Sequence, residues 1–364
     1  MALRAEQPIR WGQPAWTAPM YQPGTGMDHL GLASVSQDRI LRALSPGINV
    51  LTIHPRSWSF YLWLLTEFWE RALPRTQSAW GRFLKPRERV FVAAVLSCPR
   101  HGTDIPEVAG KRRVGKELEE GASAIDPTAS YLKSSRGGYP IYASAIAQIG
   151  LSILDRDTAQ FQCDAPTYLG RQIGVALRDW VAPTAYYRDH FEDADSAVPI
   201  DVVREYSERV CLCRLADGPD HPLLQDAFLH GGDGGEAAAR RASLRFICDL
   251  SAQTAAGPVD SWQFRQLVYY RADDSGRTYH PSTDELRVTA RRWRLYQHRE
   301  FVAWAFNRWL QNICEWGLDQ RGDGAPMALP DVLGSVEHAD FTSLAASLGA
   351  DDPGLTAASP FESL

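Results

Sequence analysis

Two cysteines one residue apart, Cys211-Leu-Cys213, precede His221 and His230 in the chain, and two thiolates with two imidazoles are a ligand set for structural zinc. The CxC spacing is tighter than the CxxC of a zinc knuckle, and VCLCRL continues an apolar helical pattern. The expectation is therefore two buried thiols, with no metal and no cofactor. Cys98, followed by Pro99, Arg100 and His101, is an isolated hint of a nucleophile. No GxSxG elbow accompanies it, and His190 in YYRDHFEDAD has acidic neighbours but no paired nucleophile. Glu192, Asp193 and Asp195 are carboxylates of the kind a metal-dependent nuclease uses. They lack a lysine-bearing strand nearby, so a solvated loop is the simpler expectation. His298 and Glu300 do not form HExxH and read as hydrogen-bonding residues of a helix. No catalytic residue is assigned, and a nuclease stands as the alternative.

Anion binding has more support. Lys133 and Arg136 precede Gly137, Gly138 and a helix start at Tyr139, where free backbone N–H groups and two cations would hold a phosphate. Lys111, Arg112, Arg113 and Lys116 lie just upstream, in the one interval where basic residues cluster. Arg56 stands ahead of an aromatic run and would reach a partner or a phosphate if no acidic residue pairs with it. These seven residues are the candidate DNA or phosphate contacts. The GGDGG segment at 231–235 lacks the strand and lysine of a phosphate loop and reads as a flexible connection.

The elements that must position these groups are mostly helical. With 45% hydrophobic and 23% charged residues, the chain has the composition of a globular protein with a sizeable core. A net charge of -6 excludes a protein that coats nucleic acid over its whole surface. The six cysteines are scattered and the start MALRAEQPIRWGQP has no secretory core, which points to a cytoplasmic protein with free thiols. SWSFYLWLLTEFW, residues 57–69, is too short to cross a membrane. It predicts a helix after Pro55 with Ser57 as cap, ending near Leu73. A helix capped by Ser36 precedes it, and another follows over Lys85 to Leu96.

A helix ending at Gly150, a short hairpin near 150–163 and the helix YLGRQIGVALRDWV follow one another as in a winged-helix module. Residues 291–316 carry Trp293, Tyr296, Phe301, Trp304, Phe306, Trp309 and Trp316 on more than one face, the pattern of a helix buried all round and packed on 57–70. The expected fold is mostly α with a minor β-hairpin, and the chain divides into five parts. These are an extended arm over 1–30, helices over 31–110, the basic and winged-helix-like part over 111–182, a helical part over 183–321 that packs on 31–110, and a mobile tail over 322–364.

Three stretches, GLASVSQDRILRALSPGINVLTIHPRSWSFYLWLL, YLKSSRGGYPIYASAIAQIGL and LYQHREFVAWAFNRWL, resemble a family of uncharacterised, mostly helical bacterial proteins. Its members show a Pro-Gly, a Thr and an Arg ahead of an aromatic helix, then a Gly-Gly-aromatic turn, then a helix with Tyr, His-Glu and Phe. They are often encoded in mobile antiphage-defence loci beside helicases, nucleases or ATPases. The resemblance spans most of residues 30–315 and implies a non-catalytic subunit that contacts DNA, a catalytic partner, or both. A regulator or scaffold without nucleic-acid contact is the second alternative.

Overall fold

The computed structural model describes residues 40–48, 54–101, 106–157, 162–253, 259–273 and 276–321. The expected arm, the tail and the Ser36 cap lie outside these residues. Residues Leu41–Trp293 form one compact unit, and residues 294–321 belong to a second.

After a short helical turn at Arg42–Leu44, helix α1 spans Arg56–Glu70. Pro55 occupies its cap position with no side-chain hydrogen bond, and Ser57 lies buried inside the helix rather than capping it. Helix α2, Gln77–Leu96, begins well before Lys85, where the Thr76 hydroxyl accepts the Ala79 N–H at 3.2 Å. Pro86, in the first turn of the helix expected from Lys85, lies inside the longer helix. Helices α3 (Lys111–Glu119), α4 (Tyr139–Gln148), α5 (Tyr168–Val181), α6 (Ile200–Val210) and α7 (Asp220–His230) follow. The series continues with α8 (Gly234–Gln253), α9 (Ser261–Tyr269) and α10 (Asp284–Arg321).

Strand structure is minor, as expected. Strands β1 (Ala124–Ile125), β2 (Ser152–Ile153), β3 (Ala165–Pro166) and β4 (Val198–Pro199) make two antiparallel pairs among the described residues, β1 with β4 and β2 with β3. The β2–β3 hairpin joins α4 to α5 in the expected chain order, but its second strand follows AQFQC rather than lying within it. The β1–β4 pair bridges segments too distant in the chain for local patterning to show.

Helix α1 is the core. Every residue from Arg56 to Phe68 is buried, so its sequence has no solvent face to mark with charge. Phe60 stacks on Phe91 with centroids 3.9 Å apart, Trp63 on Phe191 at 5.1 Å, and Trp58 meets Phe228 at 4.8 Å. Helix α5 crosses α1 closely because it presents glycine: a Cβ on Gly174 would lie 2.6 Å from the Leu62 carbonyl oxygen. Residues 291–306 are not buried all round. Trp293 is buried, against Phe264 at 5.4 Å and with its indole N–H donated to Ser243 Oγ at 2.9 Å, whereas Leu295, Val302, Trp304 and Phe306 are exposed. Aromatic count fixes neither which face of a helix is covered nor by what. Among the described residues, no helix is long and apolar enough to cross a membrane.

Candidate metal centre

Helix α2 ends at Leu96, and the chain turns through Cys98 into a 3-10 turn at Pro99–His101. Helix α6 ends at Val210, with Cys211 as its C-cap, and a second 3-10 segment runs over Leu212–Asp217. Packing of α2 against α6 brings these two helix ends together. Cys98, His101, Cys211 and Cys213 then place one sulfur or nitrogen atom each within 4.8 Å of one another. The Cys98 and Cys213 sulfurs are 3.7 Å apart, and His101 Nε2 lies 2.8 Å from Cys211 Sγ.

Cys98 and Cys211 are buried and His101 is half-buried, whereas Cys213, expected to be buried, is exposed. Burial, with the neighbouring Cys98 sulfur, pushes the Cys211 thiol well above its ordinary value. Burial also raises Cys213. A raised pKa disfavours the thiolate, the nucleophilic form, at Cys211 and Cys213. Outside them, Arg100 pairs with Asp217 at 3.0 Å, a contact that links the two ligand-bearing segments directly. Arg214, next to Cys213, reaches the same carboxylate at 3.5 Å.

Chain proximity pairs Cys211 and Cys213 with the wrong imidazoles. His221 lies in α7 and His230 at its end, whereas the fold supplies Cys98 and His101, the latter 110 residues upstream of Cys211. The CxxH spacing of Cys98 and His101 was a legible half-site. Its partner half was not, because the pairing depends on tertiary contact between α2 and α6.

The candidate phosphate contacts are placed as follows. Arg56 is wholly buried, with Nη2 3.4 Å from Asp220 Oδ1 and Nη1 donating to the Arg214 carbonyl. Burial lowers its pKa and Asp220 opposes that. Because Arg56 has an acidic partner and no exposure, it is not available as a contact. In α3, Arg112 is exposed, Arg113 sits 3.3 Å from Ser130 Oγ, Lys111 pairs with Glu107 at 2.8 Å, and Lys116 pairs with Glu120 at 3.7 Å. Glu107, Glu117, Glu119 and Glu120 match the four cations in number, although exposed i,i+4 pairs of this kind hold cations only weakly. Lys133 is exposed, and Arg136 is half-buried with Nη1 3.5 Å from Gln77 Oε1.

The Gly-Gly turn is already filled, by a carboxyl group of the protein itself. The Gly138 N–H is 3.0 Å from both oxygens of the buried Glu88 carboxylate, which also accepts the hydroxyls of Tyr61 at 2.5 Å and of Tyr131. A Cβ on Gly137, whose φ is +57°, would overlap Glu88 Oε2 at 1.8 Å. Glu88 thus occupies the N-terminus of α4 where a phosphate was expected.

The carboxylates at 192–195 do not converge. Glu192 gives both oxygens to Arg71 at 2.6 Å, and Asp193 accepts the Ser196 hydroxyl at 2.5 Å within its own turn. Arg71 holds Glu192 below the ordinary carboxylate range. The buried Arg240, which no sequence motif marks, donates to the carbonyls of Pro46 at 3.0 Å, Gly231 at 2.5 Å and Phe228. It caps the end of α7 and holds the Pro46–Gly47 turn. Compared with family models, with curated proteins and with solved structures, the chain finds no match in any of the three.

Proposed function

We propose that this protein is a non-catalytic component of a bacterial antiphage-defence complex that binds a catalytic partner subunit. The observation that carries the protein-binding part is the surface of α10. Leu295, Val302 and Phe306 are 56%, 38% and 49% exposed, and their spacing of seven and then four residues puts them on one stripe of the helix. An apolar stripe left in water is the mark of a docking face. The antiphage setting, with a helicase, nuclease or ATPase as partner, rests on the resemblance of residues 30–315. The basic segment Lys111–Arg136 is the surface proposed to meet DNA, since Arg112 and Lys133 are exposed there.

The non-catalytic reading is supported by how the polar groups in the body of the protein are used. Glu88, Glu192, Arg56 and Arg240 are each engaged by other groups of the chain. Their work is to hold helices together. The test is co-expression with the proteins encoded beside it: the chain should elute in a complex that the double change Leu295→Asp and Val302→Asp disperses while leaving the melting temperature unchanged. A complex that survives this change would remove α10 as the docking face.

A further inference from the structure

We propose that Cys98, His101, Cys211 and Cys213 form a tetrahedral, structural zinc site that ties the end of α2 to the end of α6. A regular tetrahedron with Zn–S about 2.3 Å and Zn–N about 2.0–2.1 Å has S–S edges of about 3.8 Å and S–N edges of about 3.6 Å. The Cys98 to Cys213 separation of 3.7 Å already matches the sulfur edge. It is far longer than the ~2.05 Å of a disulfide, so the two sulfurs are not bonded. The His101 to Cys211 approach of 2.8 Å is a hydrogen-bond distance. The imidazole needs to withdraw by less than ~1 Å to reach the zinc edge length.

The ligand chemistry selects the metal. Three thiolates and one imidazole form a soft set that favours zinc over magnesium, calcium or manganese. Four protein ligands leave no open position for water or substrate, so the site is structural and not hydrolytic. Binding displaces a proton from each thiol, and zinc with three thiolates carries a net charge of -1. Arg56 is buried and donates to the carbonyl of Arg214, the residue after Cys213, so it braces the segment that carries that ligand. The Arg100–Asp217 pair already holds the two ligand segments in register.

The site is tested on the full chain, produced with zinc in the medium and purified with a phosphine reductant and no chelator or metal column. Elemental analysis should give one zinc per chain, and cobalt exchanged for zinc should show a thiolate-to-cobalt charge-transfer band. Cys98→Ser, Cys213→Ser and His101→Ala should each lose most of the metal, whereas Cys163→Ser and Cys248→Ser, remote thiols of the same chain, should keep it. His101→Cys preserves a four-ligand set and should retain zinc, which guards against loss by misfolding. A folded wild-type chain without stoichiometric zinc and without the cobalt band would overturn the proposal, as would full metal retention in Cys98→Ser and Cys213→Ser.

Discussion

Arg56 and Asp220 meet at 3.4 Å with both side chains wholly shielded from solvent. The pair joins the start of α1, the core helix, to the start of α7, so removal of either partner strands a charge in a low-dielectric interior. Arg56→Ala should destabilise the protein by about 3–5 kcal/mol, and Asp220→Asn by a similar amount. Replacing both with apolar residues of similar volume should recover much of the loss. Urea denaturation measures all three, and a single change costing under about 1 kcal/mol would mean that water reaches the pair.

Glu88 gives a pH signature with a definite sign. Burial raises its carboxyl above the ordinary range, against the opposing hydrogen bonds from Tyr131, Tyr61 and Gly138. A carboxyl with a folded pKa above its unfolded value binds protons more tightly in the native state. Its contribution to stability is then greatest at low pH and declines as pH rises through the unfolded value toward the folded one. Glu88→Gln removes that titration, so the stability advantage of wild type over the variant should shrink as pH rises from about 4. An advantage that grows with pH would place the folded carboxyl below its usual range. The substitution should itself cost about 1–3 kcal/mol, since an amide cannot accept all three donors equally.

Trp63 is 1% exposed and stacked on Phe191. Trp63→Ala should lower stability by about 3–5 kcal/mol. A change within about 0.5 kcal/mol in thermal or urea unfolding would mean that the site collapses without a cavity.

The basic segment predicts salt-dependent binding. Changing Lys111, Arg112, Arg113 and Lys116 to Glu should weaken the affinity for duplex DNA, and the slope of log affinity against log salt should fall by about 0.9 for each phosphate that is no longer neutralised. Equal numbers of acidic and basic side chains across residues 107–120 limit the expected affinity to the weak, sequence-independent range. Unchanged binding at moderate salt would remove this segment from the interface.

Much of the fold was legible because α1 and the hairpin order depend on local pattern. An uninterrupted aromatic run bounded by Pro55 announces a buried helix whatever it packs against. The partners of that helix were not legible: Phe91, Phe191 and Phe228 come from three other segments. The start of α2 at Gln77, capped by Thr76, was missed because the pattern was read only from Lys85. The Gly-Gly turn is legible as an anion cradle, but a sequence does not say that the Glu88 carboxyl group, far upstream, fills it. The two halves of the thiol–imidazole cluster, CPRH and CLC, stand out as separate motifs, because only the packing of α2 on α6 unites them.

Native mass spectrometry of the reduced full-length chain reads the metal centre directly. The account predicts a single dominant species heavier than the apo chain by the mass of one bound zinc ion, converting to the apo mass on acidification. A folded chain at the apo mass, with all its thiols free to react, would contradict it.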